Sequence, residues 1–290
     1  MIDDSHDFVS VCRGVEDSGF DSLWLSEVIA SPALDPLAGL AFAAGVTERI
    51  KLGTSVLVAP GRSPAVLAKA IATLDLLSGG RFLPILGLGT VHPDEQQSFN
   101  VTREDRGPWL DEAVHVMRRL WSEESVAHSG TRFRLDGVGL PLRPRRCPPV
   151  WLGGRVRSEL RRVGRLADGW LASFATPAEV ARGIAEVRTA ASEAGREIEE
   201  DHYGVLLLYT LREPSQRTAE FLSWRRPDLS PAQGLPTGSA MIAERIREYV
   251  DAGASKFVLV PADRPDSWTA ELGELAQAVL PLQNGVAVPA

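Results

Sequence analysis

The chain has 290 residues, 44% of them hydrophobic and 24% charged, with a formal net charge of −7. That length and balance suit one α/β domain with a full core, and the acidic total argues against a general nucleic-acid binder. Two cysteines, Cys12 and Cys147, exclude a disulfide framework or a cysteine metal cluster. No apolar run approaches the roughly 18 residues of a membrane span, and MIDDSHDF has neither a basic segment nor an apolar stretch of signal-peptide type, so a cytoplasmic protein is expected.

Seven short apolar runs, rich in β-branched residues and glycine, recur along the chain: Ser22–Leu25, Lys51–Val58, Pro84–Gly89, Pro149–Gly153, Gly169–Ser173, Tyr203–Tyr209 and Lys256–Val260. Amphipathic stretches separate them, which predicts βα units around a parallel sheet. In chain order, the first helix spans 5–18, capped by Asp4 or Ser5, with Phe8, Val11, Cys12 and Val15 on one face. Pro36 opens a helix to Ala44, and Pro64 one to Leu77, stopped by Ser78-Gly79-Gly80. A loop containing His92 and Glu95 leads to a helix from Arg103 to Trp121, where Thr102 and Asp105 have capping-box spacing. Residues 122–148 carry little regular signal and form a long rim excursion. A helix containing Leu160, Val163 and Leu166 follows, then one over 177–194 with the capping signal Thr176, Pro177, Glu179. Residues 212–238 are a second long rim loop. The last helices are 240–251 and Trp268–Val279, and 283–290 is a loose tail. The whole is one α/β-barrel domain in which a strand before residue 5 is missing or truncated.

Parallel βα folds place chemistry at the carboxyl ends of their strands, and four features fall there. Gly87-Leu88-Gly89 would let a planar ligand approach the backbone; glycines at strand ends also serve plain turns. Trp151-Leu152-Gly153-Gly154 precedes a helix whose first N–H groups suit phosphate, with Arg155 and Arg157 beside it; the structural alternative is a tight turn with solvated arginines. Glu27 just past Leu25 could orient a substrate, move a proton or simply pair with an arginine. His92 has the right intrinsic pKa for proton transfer. No metal-ligand spacing, nucleophile elbow or phosphate loop is present. Leu57, Phe82, Phe99, Trp109, Phe174 and Trp224 line a pocket or fill the core, with Phe174 and Trp224 the candidates for the substrate pocket.

The segments Gly19–Trp24, Thr47–Thr54, Leu67–Lys69, Thr73–Phe82, Gly87–Gly89, Arg106 with Leu110–Glu112, Pro149–Gly154 and Ala167–Trp170, in this order and spacing, resemble the bacterial-luciferase-like flavin and deazaflavin oxidoreductases. The resemblance implies a (β/α)₈ barrel with the cofactor ring across Lys51–Val58 and Pro84–Gly89. Thr54, Ser55 and Val56 match the family stretch that often holds a non-prolyl cis bond. Gly153 and Gly154 match its phosphate-binding region. The implied function is hydride transfer between coenzyme F420 and a small organic substrate, by a homodimer formed through the first helices. A reduced-FMN monooxygenase and a non-catalytic barrel subunit of a luciferase-like heterodimer are the alternatives. The chain departs from the family where Val28 follows Glu27, a position that is histidine in many relatives. Glu27 and His92 are the candidate catalytic residues.

Overall fold

The computed structural model describes residues 5–29, 31–90 and 93–285. From the N-terminus run helix α1 (Ser5–Asp17), strand β1 (Ser22–Leu25), α2 (Pro36–Val46), β2 (Lys51–Thr54), β3 (Leu57–Val58), α3 (Pro64–Leu77), β4 (Phe82–Leu83), β5 (Ile85–Gly87), α4 (Pro93–Ser98) and α5 (Arg103–Ser122). There follow β6 (Val126–Ser129), β7 (Arg134–Val138), β8 (Trp151–Gly153), α6 (Arg157–Leu166), β9 (Gly169–Ser173), α7 (Pro177–Glu193) and β10 (Tyr203–Tyr209). Last come α8 (Gln216–Arg225), α9 (Pro231–Gly234), α10 (Ser239–Asp251), β11 (Lys256–Pro261), α11 (Trp268–Val279) and a 3₁₀ turn Leu280–Gly285. The Asp4 cap and residues 286–290 of the tail lie outside the described residues.

This is an α/β fold with parallel sheets. One sheet has the order β1-β2-β4 and another β11-β10-β9-β8-β5-β3, and every pairing within them is parallel. The two are spliced where β2 runs on into β3 and β4 into β5. Pro84 interrupts β4 and β5 because it has no N–H to donate. Thr54 bridges the break: its hydroxyl donates to the Ile85 carbonyl and accepts from the Ile85 N–H, each at 2.9 Å. A side chain thereby replaces a missing rung of the backbone ladder.

Alternation along the strands divides the apolar residues between two layers. Val205, Leu207 and Tyr209 of β10 join the core between sheet and helices. Leu206 packs on the other face with Ile85, Trp151, Leu171 and Val258. Helix α6 lies close on α7 because Gly164 has no side chain; a Cβ there would sit 2.5 Å from the Val187 carbonyl oxygen.

Many of the segments that carry the family resemblance are fasteners. Glu16 accepts from the N–H groups of Glu48, Arg49 and Ile50. Arg81 donates to the carbonyls of Ala44, Thr47, Ile50 and Ser78. Asp168 accepts from the Val150 N–H at 2.8 Å and from Arg118 and Arg196. These hold the amino ends of the strands, the side of such folds where residue identity serves stability.

The rim excursions contain structure that their sequences do not advertise. Within 122–148, β6 and β7 form an antiparallel ribbon, tied to α5 by Glu112, which accepts from Arg132 and Phe133 N–H and meets His128. Within 212–238 lie α8 and α9. Thr102 and Asp105 bond through their side chains at 2.9 Å, and Thr176 and Glu179 form the expected reciprocal cap. Among the described residues no helix is long and apolar enough to cross a membrane.

Candidate active site

Parallel pairing brings the carboxyl ends of β1, β3, β5, β8 and β9 to one rim. At its centre is Val56. The Ser55–Val56 peptide is cis, as the resemblance implies. A Cβ on Gly87 would sit 2.4 Å from a Val56 methyl, and one on Gly153 would sit 3.0 Å from the other. These glycines therefore make room for Val56, whose side chain lies across the ends of β5 and β8. Gly89 instead makes room for an arginine. A Cβ there would lie 2.8 Å from a nitrogen of the buried Arg106 guanidinium, which itself donates to the Leu88 and Gln96 carbonyls.

The segment bearing Val56 is held from the β1 side. Ser55 N–H donates to Leu25 O, and Ser26 Oγ donates to Ser55 O at 2.8 Å. Glu27 is buried. Its N–H donates to Val56 O at 3.0 Å, one carboxylate oxygen accepts from Val58 N–H at 2.7 Å, and the other accepts from Arg62. Burial raises the Glu27 pKa above the ordinary carboxylate value, with the Val58 amide and Arg62 opposing it. In this arrangement Glu27 acts as a clamp on residues 56–58. Thr54 is likewise spent on Ile85, so its hydroxyl serves the sheet. Arg62, the ion-pair partner, has no signal in the sequence. His92 lies outside the described residues. Val28, which departs from the family pattern, is at the surface.

The second half of the site is the turn from β8 into α6. Gly154 has φ +147°, and its carbonyl accepts from Trp170 Nε1 at 2.9 Å. The following N–H groups, of Arg155 and Val156, both donate to one carboxylate oxygen of Glu159, at 2.8 and 3.1 Å. The helix start thus accepts an anion, and the protein's own carboxylate occupies it. Val156 is no usual N-cap residue, so the sequence pattern conceals this. Arg155 lies 4.0 Å from Glu179 at the rim. Arg157 corrects the expectation from sequence: it is 78% exposed and pairs with Glu186 of α7, away from the turn. Its place in the first turn of α6 points it along the outer helix layer.

Phe174 and Trp224, distant in sequence, are joined through Phe221. The ring centroids are 5.9 Å apart for Phe174–Phe221 and 6.2 Å for Phe221–Trp224. Phe174 follows β9 with φ +52°, and its carbonyl accepts from Arg226. Arg226 is buried and also bonds Glu179 and Asp228. It fastens α8 to the rim. Its guanidinium holds the Asp228 carboxyl at about 2. The other proposed lining residues, Leu57, Phe82, Phe99 and Trp109, are buried and belong to the core. A separate cleft of about 360 Å³, lined in part by Cys147, Asp168 and His202, opens at the amino ends of the strands, away from this rim.

The sequence profile of the luciferase-like monooxygenases matches residues 3–226. The chain belongs to this family. This luciferase-like protein is 34% identical over 176 residues to a putative coenzyme F420-dependent oxidoreductase of Mycobacterium tuberculosis, covering 56% of this chain and 49% of that one. It is 34% identical over 166 residues to the F420-dependent glucose-6-phosphate dehydrogenase of Kineococcus radiotolerans, covering 54% and 49%. The chain spans about half the length of these relatives. Its fold is like that of an F420-dependent secondary alcohol dehydrogenase bound to an F420–acetone adduct, with TM-score 0.79, 21% identity and coverage of 94% and 93%. It is also like that of the monooxygenase RslO1 from Streptomyces bottropensis, with TM-score 0.76, 22% identity and coverage of 95% and 93%.

Proposed function

We propose that this luciferase-like protein is an oxidoreductase that uses coenzyme F420 on a small organic substrate. The observation that carries the reading is the meeting of Gly87, Gly153 and Val56 beside an anion-accepting turn at Gly154. A flat, phosphorylated cofactor needs both features within one ligand's length. The F420-dependent relatives add support through their sequence likeness. The donors at Arg155 and Val156 fit an oxyanion, because they already hold one.

When bound, F420 supplies a two-electron hydride couple. Val56 would back the ring from below, with Ser55 and Gly87 shaping the same floor. Arg155 and the N–H groups after Gly154 would take the phosphate, displacing or sharing with Glu159. Glu27 holds the Val56–Val58 backbone in place, and His92 stays a candidate proton carrier on sequence alone. The strand order supports a closed barrel of one domain. Closure is supported by α1 packing on α11 and by Gln283, after α11, donating to Asp21, just before β1, at 2.7 Å. Exposed Leu34, Phe42, Val66, Leu76 and Leu77 on and beside α2 and α3 support a homodimer through those helices, checked by sedimentation at several concentrations.

Anaerobic titration with F420 and, separately, with FMN tests the cofactor. Saturable F420 binding with little FMN binding is the expected outcome. Tight FMN binding without F420 affinity would replace the reading with that of a reduced-FMN monooxygenase.

A further inference from the structure

Helix α8 presents two aromatic residues, three apart, to solvent. Phe221 is 43% exposed and Trp224 is 56% exposed. With Phe174 they form a run of three rings at the rim. Large rings left in water are costly unless something covers them. The helix is also fixed firmly. At its C-terminal end Arg226 bonds Phe174 O, Glu179 and Asp228. At its start Ser215 and Thr218 bond Asp263 at 2.6 and 2.7 Å.

Between these fastenings sits Arg225. Its guanidinium lies 5.0 Å from the Phe174 ring centroid. Among the described residues it makes no ion pair within 4.0 Å, while its neighbour Arg226 uses every arm. Burial and the nearby Arg155 and Arg226 charges lower its pKa, with the Glu159 carboxylate opposing them, so at this half-buried place two cationic neighbours face a single anionic one. Such a site gains from an incoming anion, which an arginine fork recognises strongly.

Resting on the reading of this rim as the active-site mouth, we infer that α8 selects the substrate, which is a flat aryl carboxylate. Its ring packs on Phe221 and Trp224 and its carboxylate meets Arg225. The Phe221 and Trp224 rings, exposed and with centroids 6.2 Å apart, offer an apolar surface on which an aryl ring can pack in the usual offset or edge-to-face manner.

The test is calorimetric titration of the full chain with 2-naphthoate and with 2-naphthalenemethanol at fixed ionic strength. The acid should bind about tenfold or more tightly than the alcohol, the factor of a charge-assisted bond. Arg225→Gln should erase that preference, and Arg225→Lys should keep part of it. Trp224→Ala should weaken both probes by up to about tenfold. Equal affinity for acid and alcohol, absence of binding by both, or a preference that survives in Arg225→Gln would overturn the inference. So would displacement of naphthoate by equimolar inorganic phosphate, since the seat would then be a phosphate's. The probes need no cofactor. Failure here beside normal F420 titration therefore sinks only the substrate class, whereas failed F420 titration sinks the cofactor reading.

Discussion

Removing the Glu27 carboxylate tests whether it is a clamp or a proton carrier. The Val58 N–H that it accepts belongs to a residue that is 1% exposed. Leaving that donor without a partner costs about 1–3 kcal/mol. Arg62 has a side chain 32% exposed and can turn to water, so losing the ion pair adds at most about 1 kcal/mol. Glu27→Ala should therefore lose about 2–3 kcal/mol in urea unfolding. Glu27→Gln keeps an acceptor for Val58 and should lose about 1 kcal/mol. Hydrogen exchange of the Val58 amide should quicken in the alanine variant and change little in the glutamine variant. Unchanged stability and unchanged Val58 protection in Glu27→Ala would refute the clamp. If Glu27 instead moves a proton, Glu27→Gln drops turnover about a hundredfold or more while Val58 stays protected.

Three further outcomes are expected. Thr54→Val preserves shape but strips both bonds to Ile85, and should cost about 2–3 kcal/mol in denaturant unfolding. Glu159→Gln removes a negative charge from the anion seat, worth about 1 kcal/mol to an incoming phosphate at close range; the F420 dissociation constant should fall about fivefold by fluorescence titration. Asp228 has its carboxyl held at about 2 against an ordinary 3.8, so the folded state prefers the ionised form. Its contribution is complete above about pH 4 and is lost as pH falls towards about 2. Trp224 emission should report a loosening of α8 in that window, and Asp228→Asn should abolish the step.

The strand pattern was legible because parallel strands buried on both faces read as continuous apolar runs. Tyr203–Tyr209 and Gly169–Ser173 emerge with the bounds read from sequence. The splice at Pro84 was not, because it depends on a hydroxyl reaching from another strand. At the rim, Gly153 and Val56 were legible as neighbours, and the structure packs a Val56 methyl against Gly153. Arg155 and Arg157 looked equivalent in sequence, but one turn of helix sends them to different neighbours. Glu159 and Phe221 went unnoticed, and Arg225 was read only as part of the 212–238 loop, because their roles arise only from packing between segments far apart in the chain. Helix α8 was hidden for a related reason: among the residues of 212–238, prolines and arginines mask a short helix whose buried anchor is charged.

Helix α8 joins the rest of the molecule through side chains at its two ends and through Phe221 packed on Phe174, and no strand pairing passes through it. The sheet beneath would keep its hydrogen bonds if the helix were exchanged for another of similar length. Three attachments would have to travel with the graft, the Ser215–Asp263 contact, the Phe221–Phe174 packing and the Arg226 fork. A graft of this kind would therefore change the rim while the parallel sheet beneath stays as it is.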